Sequence, residues 1–155
     1  MLTGARGRVS LVRVRTVVGT LTLGLVAGLA ACGGAARAPA PRPPLRGCTV
    51  ERSRLAVTVD ATQRLTFVPA AVCLRRGGTV TFVNVTRHFD HTTTDEAALA
   101  AAPADAQVPP GGHGWSHVLP PGARARIHLS VDGTYRYFCI PHERLGMVGT
   151  IRVVG

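Results

Sequence analysis

Lysine is absent from this 155-residue chain, so all eighteen basic residues are arginine. Acidic residues are few as well, and none of the eight precedes Cys32. Beyond that cysteine fourteen arginines face eight acids, and the net charge there is +6 where the whole chain carries +10. Aromatic residues make up only 5%, and the arginines are scattered, without the basic stripe and interleaved aromatics that a nucleic-acid surface needs. No nucleic-acid partner is expected. No activated nucleophile, paired carboxylates or phosphate-cradling loop is present either, so an enzyme reading finds no centre to rest on. Long apolar runs are also missing. Val17 to Ala30 is broken by Gly19, Gly24 and Gly28 and falls short of the about 20 residues that span a bilayer. What remains is enough chain for one core of ordinary size.

The first 31 residues read as an address. Arg6, Arg8, Arg13 and Arg15 precede the apolar run, and small residues lead to Leu29-Ala30-Ala31-Cys32, the layout of an export signal. The Leu-Ala-Ala-Cys end resembles the lipobox of bacterial lipoproteins. That resemblance implies cleavage before Cys32, lipidation of its sulfur, and a protein held at the extracytoplasmic face of the cell membrane, in the periplasm or at the cell surface. Residues 32–47 contain Pro39, Pro41, Pro43 and Pro44 among Ala and Arg, a composition that favours an extended tether over a core.

From Val50 onward the pattern changes to short alternating runs punctuated by Gly and Pro, which predicts strands and turns. Leu55 to Val59, Val72 to Arg75, Thr79 to Val83, Ala125 to Leu129, Thr134 to Cys139 and Thr150 to Val154 are the expected strands. The architecture predicted for 48–155 is an all-β, Greek-key β-sandwich in a single domain. Asp95 to Gly114 breaks the rhythm and reads as a long surface loop with room for a short helix; its role stays open.

The most informative segment is Tyr135-Arg136-Tyr137-Phe138-Cys139-Ile140-Pro141-His142-Glu143-Arg144-Leu145-Gly146-Met147. Cys139, His142 and Met147 offer a thiolate, an imidazole and a thioether within one turn of chain. Two imidazoles and a thiolate with a weak axial thioether suit copper. Zinc accepts the same thiolate and imidazoles but has little use for Met147. The second imidazole has to come from elsewhere. His91, which follows the Thr79 to Asn84 strand and opens the β-prone Thr92-Thr93-Thr94, is the preferred candidate, and His88 is the alternative.

From about Thr66 to Val154 the sequence resembles the plastocyanin and pseudoazurin branch of the cupredoxins, or blue copper proteins. Phe67 to Gly77 matches the early strand pattern, Thr79 to Asn84 the strand before the first ligand, and Gly133-Thr134-Tyr135 the strand into the cysteine. Cys139-x2-His142-x4-Met147 with Val148-Gly149-Thr150-Ile151 matches the ligand loop and last strand. The resemblance implies one type 1 copper held by His91, Cys139, His142 and Met147, and a monomeric carrier of single electrons. His142 would be the exposed port at which a redox protein docks, flanked by Pro141, Leu145 and Gly146. Residue 92 is Thr where the family commonly has Asn, so the bond that ties the two ligand loops is left open. The alternative function is an extracytoplasmic copper chaperone or copper-resistance protein, although no Met- or His-rich tract is present.

Tyr135, Tyr137 and Cys139 share one strand face and are expected to pack beneath the thiolate. Phe138 points the other way, toward an electron path or a docking patch. Cys48 and Cys73 remain for a disulfide, which an exported protein can keep; free thiols are the alternative. His113, His117 and His128 read as surface histidines, and Trp115 as a core or loop anchor.

Overall fold

The computed structural model describes residues 45 and 47–155. The export signal and nearly all of the tether expected from the sequence, including Cys32, lie outside the described residues, as does the separate unit Met1–Ala36. Eight strands follow in chain order: β1 (Arg54–Ala61), β2 (Phe67–Val68), β3 (Ala71–Asn84), β4 (His91–Thr94), β5 (Ser116–Leu119), β6 (Arg124–Leu129), β7 (Gly133–Phe138) and β8 (Val148–Val154). Their hydrogen-bonded order is β2-β1-β3-β8-β7-β4-β5, with β6 on β3.

The long β3 joins the two layers. Ala71 to Arg75 runs parallel to β8, whereas Thr79 to Asn84 pairs with β1 in parallel and with β6 in antiparallel fashion. The bend between these halves falls at Gly77-Gly78. Gly77 has φ +76°, and a Cβ on Gly78 would stand within 3 Å of the Arg75 and Leu55 carbonyl oxygens, so the strand can change layers there only with glycine. A disulfide between Cys48 and Cys73 ties the segment that leads into β1 to the first half of β3.

Alternation is faithful to this plan. Val59, Ala61, Leu74, Val80, Phe82, Ile127, Tyr135, Tyr137, Ile151 and Val153 are buried on the facing surfaces. Tyr137 stands at the middle, its ring edge-on to Phe67 at 4.8 Å and to Phe82 at 4.9 Å, geometry that adds to the area it buries. Its hydroxyl is wholly buried and has no hydrogen-bond partner among the described residues. A buried unpaired hydroxyl costs about 1–3 kcal/mol. Tyr137→Phe is therefore expected to leave stability unchanged or raise it by about 1 kcal/mol, measured as the urea midpoint.

Two stretches add detail to the expected strands and loop. Ser116–Leu119, for which the sequence gives no alternation, forms β5 against β4. The Asp95 to Gly114 stretch holds no α-helix; it carries short 3-10 turns at Ala97–Leu99 and Pro103–Asp105. The second of these packs on β7.

Candidate metal centre

At one end of the sandwich, the start of β4 and the loop between β7 and β8 bring three donors together. One donor atom each from His91, Cys139 and His142 lies within 4.8 Å of the others. The Cys139 Sγ is 3.5 Å from the His91 Nδ1 and 3.2 Å from the His142 Nδ1. Met147 is fully buried beside them, its carbonyl accepting the Cys139 N–H at 3.0 Å. His88, the alternative to His91, is exposed and outside this group.

Each donor is aimed by a named partner. The His91 Nε2 lies 3.2 Å from the Thr62 carbonyl oxygen, which can only accept. That oxygen fixes the proton on Nε2 and leaves the Nδ1 lone pair facing the thiol, as ligand histidines require. The Thr92 N–H donates to the Cys139 Sγ at 3.3 Å, and the Ile140 N–H donates to the Thr92 Oγ1 at 2.8 Å. Thr92 thus ties the two ligand segments together with its hydroxyl, which answers what the Asn-to-Thr departure had left open.

The loop itself is closed by backbone bonds. His142 N–H donates to the Cys139 carbonyl at 3.0 Å, and Met147 N–H to the His142 carbonyl at 3.2 Å. Gly146, at φ +90°, supplies the left-handed residue that turns the chain back toward Met147. The connection into His91 is shaped by Asn84, whose Nδ2 donates to the Phe89 and Leu119 carbonyls at 3.0 and 2.7 Å while its Oδ1 accepts the Thr86 N–H at 2.9 Å. This holds the Phe89 ring 5.1 Å from the His91 ring and 5.8 Å from that of His142, edge-on to both.

Burial sets the protonation states. It lowers the pKa of both His91 and His142, the former further lowered by its imidazole neighbour, so neutral rings are available as ligands. Burial pushes the Cys139 thiol up, opposed by the Thr92 N–H. Among the described residues no carboxylate joins the group. A thiol, two imidazoles aimed by their Nδ1 atoms and a buried thioether fit a soft, one-charge metal site and suit copper.

Phe138 does not reach the surface. It lies on the outward side of β7, apart from the main core cluster, and is completely buried. Its ring therefore offers no exposed surface of its own to a partner. Tyr135 and Tyr137 are buried on the Cys139 face, and Trp115 is in the core with its Nε1–H donating to the Thr93 Oγ1 at 3.0 Å. His113, His117 and His128 are exposed.

The residues missed in the sequence are Thr62, Asn84, Phe89, Asp95 and Glu143. Asp95 is buried, with Oδ1 accepting the Trp115 N–H at 2.6 Å and Oδ2 without a partner among the described residues. Burial raises its pKa to about 7. A carboxyl that holds its proton more tightly when folded stabilises fully below its ordinary value near 4, and that contribution is lost as the pH rises through about 7. Asp95→Asn is therefore expected to gain stability over the parent between pH 4 and 7 and to keep a constant margin above that, read from the difference of their thermal midpoints.

A family model for copper binding proteins of the plastocyanin/azurin family matches residues 53–154. Plastocyanin of Scenedesmus fuscus is 35% identical over 89 residues, which is 57% of this chain and 87% of that protein. Plastocyanin of Chlamydomonas reinhardtii is 34% identical over 107 residues, 64% of this chain and 70% of that one. Among solved structures, auracyanin of Roseiflexus castenholzii aligns with a TM-score of 0.50 at 22% identity over 66% of this chain and 99% of its own, a likeness of fold. A copper-containing nitrite reductase of Thermus scotoductus aligns at 0.52 and 28% identity over 66% of this chain, but only 23% of its own length is covered.

Proposed function

The chain belongs to the plastocyanin/azurin family of copper-binding proteins, whose members carry electrons, and from that premise we propose that it shuttles single electrons through one type 1 copper at the outer face of the cell membrane. The observation that carries this reading is the convergence of His91, Cys139 and His142 beside the buried Met147. These four are the proposed ligands. Bound copper supplies the chemistry, a one-electron exchange between its two oxidation states.

The protein's part is to keep the donors still. Thr62 holds the His91 ring, Thr92 ties Cys139 and Ile140 to β4, and the bonded loop from Cys139 to Met147 fixes the spacing of the other donors. Donors held on a rigid sandwich keep one arrangement in both oxidation states, so little has to move when an electron enters or leaves. Phe89 on one side and the aromatic core below Cys139 exclude water from the thiolate.

His142 is the half-exposed member of the set, and Ile140, Pro141 and Leu145 beside it are exposed, Leu145 to 68%. This small apolar rim supports brief docking of a redox protein around His142, an encounter that buries little area. The same reading takes the chain as a monomeric carrier that passes electrons between redox partners. Anchoring through lipid on Cys32 rests on the Leu29-Ala30-Ala31-Cys32 sequence.

The domain from Cys48 to Gly155 contains all of the core residues and the disulfide, so it can be tested by itself. Loaded with copper(II), it is expected to show an intense thiolate-to-copper band in the red and a narrow copper hyperfine splitting, both lost on reduction. A colourless domain that keeps only copper(I), or prefers zinc, would replace the carrier with a chaperone or a structural metal site.

A further inference from the structure

Glu143 has no part in the donor set, yet it lies inside the ligand loop, between His142 and Met147, and is 4% exposed. A carboxylate hidden that well needs partners. Both of its oxygens have one: Oε2 accepts the Ala101 N–H at 2.7 Å and Oε1 the Ala102 N–H at 2.8 Å. Among the described residues no cation takes part. Two successive backbone N–H groups, short and charge-assisted, seize the carboxylate as a fork does.

Those N–H groups belong to the stretch whose role the sequence left open. It is fastened at each end. Asp95 at the end of β4 exchanges two bonds with Trp115, its N–H to the Trp115 carbonyl at 3.0 Å and its Oδ1 to the Trp115 N–H at 2.6 Å. Gln107 and Arg136 exchange backbone bonds at 3.1 and 2.9 Å, and the Arg136 guanidinium reaches the Ala104 carbonyl at 3.2 Å. Residues 95–107 are therefore a strap tied to Trp115, just before β5, and to β7, and its middle is attached to the ligand loop by the Glu143 side chain.

We propose that Glu143 is a positioning residue of the copper centre: its carboxylate clamps the loop that carries His142 and Met147 to the strap, and holding that loop still is what the strap does. Without the clamp, the loop keeps its own backbone bonds but has no side-chain attachment from Glu143 to the rest of the sandwich. The proposal rests on the copper reading of the site for its consequence, though not for the clamp itself, which the metal-free domain can test.

In the metal-free Cys48 to Gly155 domain, Glu143→Gln turns an amide N–H toward one of the two backbone donors and breaks that bond. Amide exchange at whichever of Ala101 and Ala102 loses its acceptor is expected to quicken about ten- to a hundredfold, the worth of one bond to a charged acceptor, while amides of β3 and β8 keep their rates. Copper(II) affinity, read by competition with a chelator of known strength, is expected to fall about tenfold, and Glu143→Asp, one methylene short, should not rescue it. Replacing residues 97–104 with a short Gly-Ser linker should weaken copper to the same extent with Glu143 intact, and adding Glu143→Gln to that variant should change nothing further.

Unaltered exchange at Ala101 and Ala102 overturns the clamp whatever copper does. Faster exchange with unchanged copper affinity makes Glu143 a structural residue only. Losses that add up in the combined variant mean that its charge acts on the metal without the strap. If the linker variant does not fold, the exchange rates and copper affinity of Glu143→Gln decide alone.

Discussion

Cys139→Ala should leave the domain folded and strip the centre of its defining signal: the intense red absorption disappears altogether, and any copper(II) that still binds shows the wide hyperfine splitting of ordinary nitrogen and oxygen sites. Folding survives because the thiol makes few bonds that the core needs; the Thr92 N–H that it accepts is the one donor left without a partner, a cost of about 1–3 kcal/mol. The signal does not survive because the band is a thiolate-to-metal transition, and Cys139 is the free cysteine among the described residues, Cys48 and Cys73 being bridged. The metal-free variant keeps the circular dichroism of the parent, which separates loss of the site from loss of the fold. An unchanged red band in Cys139→Ala would show that another sulfur is the ligand and would end the present assignment.

How much of this was legible in the sequence depended on how far apart the partners lie. Cys139, His142 and Met147 sit on one loop, so residue types and spacing were enough to expose them. His91 stands 48 residues from Cys139, and local pattern could only rank it above His88; the pairing of β4 between β7 and β5 is what delivers it to the thiol. Alternation revealed most strands because each has one buried face. It failed for Ser116–Leu119, an edge strand in which only Leu119 is buried and Val118 is 65% exposed. For Phe138 it gave the side of β7 but could not tell that the ring is buried there.

The supporting groups were hidden for a different reason. Thr62 acts through a backbone carbonyl, which every residue carries. Thr92 replaces a carboxamide with a hydroxyl, and only the position of the Ile140 N–H shows that the shorter group still reaches. Glu143 did leave a trace, an acidic residue in an otherwise apolar and basic ligand loop, but a carboxylate there reads as solvated until its two partners from the distant strap are seen.

Asn84→Ala carries the other large effect, and it joins the fold to the site. Asn84 is fully buried where β3 ends, and its carboxamide serves three backbone groups at once: the Leu119 and Phe89 carbonyls and the Thr86 N–H. The Thr86 hydroxyl also lies 2.7 Å from its Oδ1. Alanine leaves those groups facing a cavity with no replacement donor or acceptor, and several unmade buried bonds together cost about 3–5 kcal/mol. The loss should be visible as a lower urea midpoint in the metal-free domain. It should also reach the metal, because the bond to Phe89 sets the course of the chain into His91 and seats the Phe89 ring against both imidazoles. Copper(II) affinity should fall with stability, and bound copper should restore part of the lost midpoint, since a ligand that binds only the folded chain stabilises it by mass action. If Asn84→Ala lowers stability by less than about 1 kcal/mol, backbone groups near β3 find new partners easily and Asn84 is no hub. If stability falls but copper binding is untouched, the loop from Val85 to Asp90 is held by Thr86 and Phe89 packing, and the approach to His91 is independent of the strand that precedes it.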